Sequence, residues 1–287
     1  MTGRRPVISL LDPFSFTELF MKKTILLSIV LLFPLYAGVK ITVPDNARTI
    51  RAGLDRADAG DTVFVRKGIY HERVALKDGV VLLGESTAET IIMGKSGSPV
   101  VMGADKAVIK NFTIENGDKG ILCEGVTMTI EHNCICHNRG SGIHCLLSLP
   151  HIINNVIYQN KWSGIYCEGA RTLRTSIENN VIGENGYSGI MLLGNSDVVV
   201  QNNVFLGNKQ FGIWAAEGAR RSRIVFNDFY MNREPFKGLA QVEKTNFGVD
   251  PKYDLESDSP VELFSKPSEV LRMRGKDSKD IGLIFPQ

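Results

Sequence analysis

A repeat of 22 to 25 residues runs through the middle of the sequence and limits what the chain can fold into. The dipeptide Gly-Ile recurs at Gly120, Gly142, Gly164, Gly189 and Gly212. A second marker, Asn followed five residues later by Asn, occurs at Asn111/Asn116, Asn133/Asn138, Asn155/Asn160, Asn180/Asn185, Asn203/Asn208 and Asn227/Asn232. A unit this short cannot bury its own apolar side chains, so successive units must stack on one another to form a common core.

The segments between these markers are short and rich in β-branched residues, for example Ile152-Ile153 and Val198-Val199-Val200. They are too short for helices, and Gly and Asn bound them as turn residues do. Leucine-rich repeats have a similar length, but their Leu spacing and helical segment are missing. The repeat therefore predicts an all-β, single-stranded parallel β-helix, in which each repeat is one coil and like residues stack about 4.8 Å apart. Stacked Asn amides would form ladders along its axis.

The N-terminal 37 residues have the character of a leader. From Met21 the chain has a basic start, an apolar stretch and a small residue at Ala37, which is typical of a secretory signal peptide. The apolar stretch is shorter than the ~20 residues of a membrane-spanning helix, and Pro34 interrupts it. The sequence leaves open whether translation starts at Met1 or Met21. We expect a secreted, periplasmic or cell-surface protein with no integral membrane segment after cleavage.

Charge and composition exclude several classes of protein. Charged residues make up 22% of the chain and hydrophobic residues 43%, which argues against disorder and against a multi-span membrane protein. Without the leader, the chain has as many basic as acidic residues. A chain with no net charge has no general attraction for nucleic acid, so no nucleic-acid partner is expected.

The repeats resemble those of right-handed parallel β-helix proteins, the pectate-lyase-like superfold. The opening segments Ile41-Thr42-Val43-Pro44, Gly60-Asp61-Thr62-Val63 and Gly68-Ile69-Tyr70-His71-Glu72 are similar to the start of many such proteins, pectinesterases included. The resemblance implies a short capping helix within residues 49–59, a β-helix over 38–232 and a capping segment over 233–287 with an irregular tail. It is specific for the fold and weak for the activity, because this superfold carries lyases, hydrolases, epimerases, esterases and non-catalytic modules.

Strand alternation from each Gly-Ile predicts which side chains face outward. Ile and the residue two positions later should point into the coil, and the residue between them should face solvent. The outward positions are Leu122, His144, Tyr166, Met191 and Trp214, and Trp162, Tyr187 and Phe211 lie just before the glycines. Aromatic faces suit the apolar faces of sugar rings, so these aromatic residues are candidates for binding a polysaccharide. The alternative is that the C-terminal tail or another subunit covers them.

Acidic and basic side chains accompany the aromatic residues and are candidates for catalysis. Glu124 and Glu168 occupy equivalent positions two coils apart, which corresponds to about 9.6 Å and is near the upper separation of an inverting glycosidase. Together with Glu217, His144 and Arg171 they could serve β-elimination or hydrolysis. The alternative for each exposed Glu is a purely solvating role.

The motifs of the known enzymes of the superfold are not present. The successive Asn-Thr-Asp, Asp-Asp and Gly-His-Gly motifs of a polygalacturonase are missing, and Asp250-Pro251-Lys252 lacks the His of the alginate epimerase signature. Between Gly120 and Asn232 only Asp197 and Asp228 could serve a calcium site of the pectate lyase kind. No known chemistry of the superfold can therefore be transferred directly to this chain.

All five cysteines lie between Cys123 and Cys167. Cys123, Cys145 and Cys167 fall at one inward position in successive coils, which favours a buried column packed as small hydrophobic residues. Metal binding is the sharper alternative, and its candidate ligands are His132, Cys134, Cys136 and His137. A family similar to this one is named for periplasmic copper delivery. No cofactor is expected.

The sequence thus predicts a secreted β-helix protein that binds or processes a polysaccharide or cell-surface glycan on its outward strand face. If it is an enzyme, a polysaccharide lyase, glycoside hydrolase or epimerase is expected. The alternatives are a structural or assembly protein and a periplasmic metal-delivery protein.

Overall fold

The computed structural model describes residues 38–148, 150–169, 171–253, 261–262 and 268–284, with only the backbone of residues 171–175. The predicted leader lies outside these residues. The described chain is a right-handed parallel β-helix of about nine turns. Three parallel sheets run along its length, and each complete coil contributes one strand to each sheet. This confirms the predicted fold class.

The ten strands of sheet 1 are β1 (Lys40–Val43), β2 (Thr62–Val65), β5 (Val81–Gly84), β8 (Val108–Lys110), β11 (Thr129–Glu131), β14 (His151–Ile153), β17 (Arg171–Glu178), β20 (Asp197–Gln201), β23 (Arg223–Val225) and β26 (Gln241–Val242). The eight strands of sheet 2 are β3 (Gly68–Tyr70), β6 (Thr90–Met93), β9 (Thr113–Glu115), β12 (Cys134–Cys136), β15 (Val156–Tyr158), β18 (Val181–Gly183), β21 (Val204–Leu206) and β24 (Asp228–Tyr230). The eight strands of sheet 3 are β4 (Val74–Ala75), β7 (Pro99–Met102), β10 (Lys119–Glu124), β13 (Ile143–Leu146), β16 (Ile165–Glu168), β19 (Ser188–Leu193), β22 (Phe211–Ala215) and β25 (Glu234–Gly238).

The core is a set of side-chain columns inside the coil. Each Gly-Ile dipeptide lies in or directly before a strand of sheet 3, and these strands are paired in register with one another. The isoleucines therefore stack on one another, and Cys145 stacks between Cys123 and Cys167. These side chains are fully buried, as strand alternation predicts. Each glycine of the repeat lies against the backbone of the next coil, and a Cβ on Gly142 would stand 2.8 Å from the Gly164 carbonyl oxygen. The glycine therefore permits the close approach of successive coils at this corner.

Two Asn ladders hold the corners of the coil. In each ladder the backbone N–H and the Nδ2 of one Asn both donate to the Oδ1 of the Asn one coil further on; for Asn155 and Asn180 these distances are 2.9 and 3.1 Å. The first ladder contains Asn133, Asn155, Asn180, Asn203, Asn227 and Asn246, and the second contains Asn138, Asn160, Asn185, Asn208 and Asn232.

The predicted pair Asn111/Asn116 does not belong to the ladders. The ladder positions in its coil are taken by Phe112 and Gly117, whose N–H groups donate to Asn133 and Asn138. Asn111 and Asn116 stand one residue earlier, where the backbone is left-handed with φ of 64° and 65°. Asn tolerates this conformation, so the same residue type serves two adjacent positions of the turn for different reasons.

Helix α1 (Ile50–Arg56) caps the N-terminal end of the solenoid within the predicted range. The Thr49 side chain accepts a hydrogen bond from the Ala52 N–H and so caps the helix. Gly53 packs against Val43 and Val63, where a Cβ would stand 3.1 and 3.0 Å from their methyl groups. The helix therefore closes the apolar interior of the first coil.

Strand pairing extends beyond Asn232, where β25 pairs with β22 and β26 pairs with β23. Later residues lie on the outer face of sheet 2, where Leu271, Ile281 and Leu283 join an apolar cluster with outward side chains of that sheet. Two short 3-10 turns, Glu269–Leu271 and Lys276–Ser278, shape this covering segment.

Candidate functional site

The outer face of sheet 3 carries one continuous row of side chains. Strand pairing aligns Leu122, His144, Tyr166, Met191, Trp214 and Lys237 one coil apart. Four of these side chains are half-buried, Met191 is 6% exposed, and Lys237 is exposed. The row therefore has the outward orientation that strand alternation predicts, on a face that is more apolar than a solvated strand usually is.

His144, Tyr166 and Glu168 form a connected group in this row. The His144 and Tyr166 rings stack with centroids 4.4 Å apart, and the Tyr166 hydroxyl donates to the Glu168 Oε2 at 2.8 Å. Burial lowers the pKa of His144 to about 4, and the nearby positive charge of Lys119 acts in the same direction. Burial and the hydrogen bond to Glu168 raise the pKa of Tyr166 to about 12. At neutral pH the imidazole is therefore uncharged and the phenol protonated.

A second group, here called the aromatic cluster, consists of Trp162, Tyr187, Phe211 and Trp214. It shares Trp214 with the row, and its other members lie beside the row. Tyr187 lies at its centre: it stacks on Trp162 with centroids 5.4 Å apart and meets Phe211 and Trp214 edge-on at 6.0 and 5.9 Å. Edge-on and offset stacked pairs are the favoured geometries of aromatic rings. Four of the five aromatic residues predicted for the site are thus in mutual contact, and the fifth, Tyr166, stacks on His144 instead.

Exposure differs within the aromatic cluster. Trp162 is 48% exposed, Tyr187 and Trp214 are half-buried, and Phe211 is buried. Phe211 supports the cluster from below and Trp162 offers the most open ring. The Lys237 Nζ lies 5.0 Å from the centroid of Phe211 and adds a positive charge at the C-terminal end of the row.

Lys237 was missed from the sequence because its coil lacks the Gly-Ile marker. Pro235-Phe236 stands in that place, and the register pairs Ile213 with Phe236. Strand alternation continues where Pro235-Phe236 replaces Gly-Ile, so Phe236 points inward and Lys237 outward. This alternation could have identified Lys237 from the sequence.

The predicted acidic residues fall into two groups. Glu124 and Glu168 are exposed and lie two coils apart in one column, with Leu146 between them. Glu217 stands outside the strands, in the 3-10 turn Glu217–Ala219, and forms an ion pair with Arg220 at 2.5 Å. The side chain of Arg171 lies outside the described residues. Only Glu168 among the predicted carboxylates is shown in hydrogen-bond contact with an aromatic residue of the row.

The predicted metal ligands do not converge within the described residues. Cys134 and Cys136 lie side by side on the outer face of sheet 2 with their Sγ atoms 3.8 Å apart, and they belong to the apolar cluster under the C-terminal segment. His132 and His137 have left-handed backbone, and the His132 Nδ1 lies 3.4 Å from Glu131. No group of three or more His, Cys, Asp or Glu among the described residues could hold a metal ion.

Residues 268–284 of the C-terminal segment leave the aromatic cluster uncovered. Its polar contacts are with Asn154, Asn179 and Asn202, at the corner between sheets 1 and 2. Its apolar contacts are with the outward side chains of sheet 2. For residues 268–284, the possibility that the tail covers sheet 3 is therefore removed.

Comparison with known proteins places this architecture in a family. The family model described as right-handed β-helix region matches residues 80–250, more than half of the chain. The chain belongs to this right-handed β-helix family. No curated protein sequence matches it significantly. In the described residues, no helix is long and apolar enough to cross a membrane.

Several solved structures resemble this chain in fold. An alginate lyase from Paenibacillus sp. str. FPU-7 is 19% identical with a TM-score of 0.54, over 67% of this chain and 76% of that one. The A-module of mannuronan C-5 epimerase AlgE4 from Azotobacter vinelandii is 15% identical with a TM-score of 0.39, over 70% and 92%. Pectin methylesterase PemA from Erwinia chrysanthemi is 11% identical with a TM-score of 0.34, over 76% and 91%. At these identities the likeness concerns the fold.

Proposed function

We propose that the protein binds a polysaccharide along the outer face of sheet 3. The observation that carries the proposal is the aromatic cluster, together with the stacked pair of His144 and Tyr166 on the same sheet. Flat rings on an extended surface can stack against the apolar faces of successive sugars. Neighbouring Glu168 and Lys237 supply a hydrogen-bond acceptor and a positively charged donor at the edges of such a contact.

The parallel β-helix suits a linear ligand because it repeats one surface at intervals of about 4.8 Å along a straight axis. A secreted or periplasmic location, which the segment from Met21 to Ala37 predicts, would place this face where polysaccharides occur. The similar fold of an alginate lyase is consistent with the proposal, although fold alone does not assign an activity.

Polysaccharide cleavage is a second candidate, favoured by the contact between His144 and Tyr166, which places a candidate base beside a candidate acid. The imidazole is uncharged at neutral pH and has a nitrogen free to accept a proton, although a pKa of about 4 makes it a weak base. In a β-elimination it would take the proton from the carbon next to a uronate carboxyl group. The glycosidic C–O bond would break as the C=C bond forms, and the Tyr166 hydroxyl would protonate the leaving oxygen.

Retention on glycan-containing gels tests the binding proposal. Purified protein is run through native gels that contain uronate-rich or neutral polysaccharides, beside the variant Tyr166→Ala/Trp214→Ala. We expect at least tenfold weaker retention of the variant by the glycan that retains the wild type, because two stacking surfaces are lost. Equal retention of both proteins, with matching circular dichroism spectra, would contradict the platform.

Product analysis of the same mixtures separates the two candidates. Unsaturated or new reducing ends, lost in His144→Phe while retention persists, indicate an enzyme. Retention without products indicates a binding protein.

A further inference from the structure

A cavity of about 320 Å³ lies at the corner between sheets 2 and 3 in the first coils, away from the aromatic cluster. Its walls are the connections from β3 to β4 and from β6 to β7, and its lining residues are His71, Glu72, Arg73, Met93, Gly94, Lys95, Ser98 and Pro99. The volume is at the lower end of the range for small-molecule sites. A ligand, or a ligand group, of about the size of one sugar ring would fit it.

Basic side chains dominate the polar lining. Among the described residues, His71, Arg73 and Lys95 form no ion pair with a carboxylate, whereas the neighbouring Arg66 and Lys67 pair with Asp45 and Glu89. Within the part of the chain that the structure describes, the Arg73 guanidinium donates only to the Met102 sulfur, at 3.0 Å. The charges at this cavity are therefore not neutralised by partners as those beside it are.

The one carboxylate in the lining is engaged elsewhere. The Oε1 of Glu72 accepts from the Ile50 N–H at 2.9 Å, and its Oε2 accepts from the Arg51 N–H at 3.0 Å. These are N–H groups of the first turn of α1, which have no partner within the helix. Both oxygens are thus directed at the helix, and among the described residues Glu72 forms no ion pair with Arg73 or Lys95 across the cavity.

The second wall is held in place by later coils. Gly94 donates to the Glu115 carbonyl oxygen at 2.8 Å, and the Arg139 guanidinium donates to the Ser96 hydroxyl at 2.9 Å. A Cβ on Gly94 would stand 2.6 Å from a methyl group of Val100, so the connection packs tightly there. The backbone of this wall is therefore held in place before a ligand binds, and the loss of freedom on binding falls on exposed side chains such as Lys95.

We propose that this cavity binds an oxyanion group, either a carboxylate or a sulfate ester. The part of the ligand that enters the cavity would be no larger than about one sugar ring. The planar Arg73 guanidinium matches two oxygens of such a group, and Lys95 contributes a point charge. Ser98 adds a hydroxyl donor within the same lining. The proposal does not depend on polysaccharide binding by sheet 3, because the two surfaces share no residue.

Calorimetric titration of the purified protein with glucuronate, glucose 6-sulfate and glucose tests it, and inorganic sulfate and acetate show whether the anion alone suffices. We expect saturable binding of at least one charged sugar, weakened at least tenfold in Arg73→Gln/Lys95→Gln. The control variant Arg221→Gln/Lys244→Gln removes the same two charges from exposed positions near the other end of the solenoid and should bind as the wild type does.

The proposal is overturned if neither charged sugar binds saturably, if glucose binds equally well, or if the control variant loses as much affinity. If the variant fails to fold, wild-type amide NMR shifts provide the readout. The Gly94 and Ser98 signals should move on addition of the charged sugar, and unchanged signals during saturable binding would also overturn the site. Retention by sheet 3 is measured separately with Tyr166→Ala/Trp214→Ala, so the failure of one proposal is distinguishable from the failure of the other.

Discussion

A single buried carboxyl group interrupts an apolar column of sheet 2. Asp228 continues the column of Val156, Val181 and Val204 and is fully buried. Its Oδ1 accepts the Val249 N–H at 2.8 Å, while its Oδ2 has no hydrogen-bond partner within the described residues. Burial raises the pKa of Asp228 to about 6. The group thus fixes the chain after the last coil and also carries a penalty when it ionises.

The Asp228→Asn substitution should remove a pH dependence of stability. Because the folded protein holds this proton more tightly than the unfolded chain, whose Asp pKa is 3.8, the wild type should lose stability as pH rises from about 4 to 6. The loss amounts to at most about 3 kcal/mol. Urea unfolding of both proteins across this range measures it: the difference between wild type and variant should change by that order, and a constant difference would contradict the buried, raised pKa.

At the residue scale, periodicity predicted side-chain direction well and turn position less well. The outward orientation of His144, Tyr166 and Trp214 follows from alternation alone, because a strand has a strict two-residue period. The turn residues are ambiguous, since Asn suits both a ladder and a left-handed position. Asn111 could be told from a ladder member only by its hydrogen-bond partners.

At the scale of elements, the Asn ladders join successive coils at their corners. Asn180 illustrates the contribution of one member: its Nδ2 donates to the Ile152 and Glu178 carbonyl oxygens at 2.9 Å, and its Oδ1 accepts from Asn155. The bonds to Ile152 and from Asn155 are buried, so these groups cannot exchange a lost bond for a hydrated one.

Asn180→Ala should therefore lower the free energy of unfolding by about 3 to 5 kcal/mol, because several buried backbone groups lose their partners. Asn195→Ala is the matched control, since Asn195 is exposed and outside both ladders. It should change stability by at most about 0.5 kcal/mol. Chemical denaturation measures both variants, and similar losses in the two would show that the ladder contributes little.

The coiled architecture could be predicted because the same residue types recur at the same positions of each repeat. The covering segment was not, because residues after Asn246 carry no repeat that would indicate which sheet they cover. The side chains of Cys134, Val156 and Val204 point outward from sheet 2 and form an apolar face. Such a face is stable in water only when another segment covers it. Cys134 and Cys136 both pack under the covering segment, and this packing explains why they are two residues apart on one strand.

At the scale of the whole molecule, two faces of the solenoid have different surroundings. Sheet 2 is covered by residues of the C-terminal segment, whereas the aromatic cluster beside sheet 3 keeps Trp162 open to solvent. The family model and the alginate lyase likeness extend along the coils and define the scaffold. Function has to be argued from the side chains between the scaffold positions, because one fold carries many activities.

The two tryptophans of the sequence, Trp162 and Trp214, both belong to the aromatic cluster, so tryptophan fluorescence reports on this face alone. The most direct test of polysaccharide binding by sheet 3 is a titration with a retained polysaccharide, followed by emission and by acrylamide quenching. The account predicts a saturable shift of emission to shorter wavelength and reduced quenching, with no change for a polysaccharide that the protein does not retain. Saturable retention of a polysaccharide with unchanged emission and unchanged quenching would contradict it.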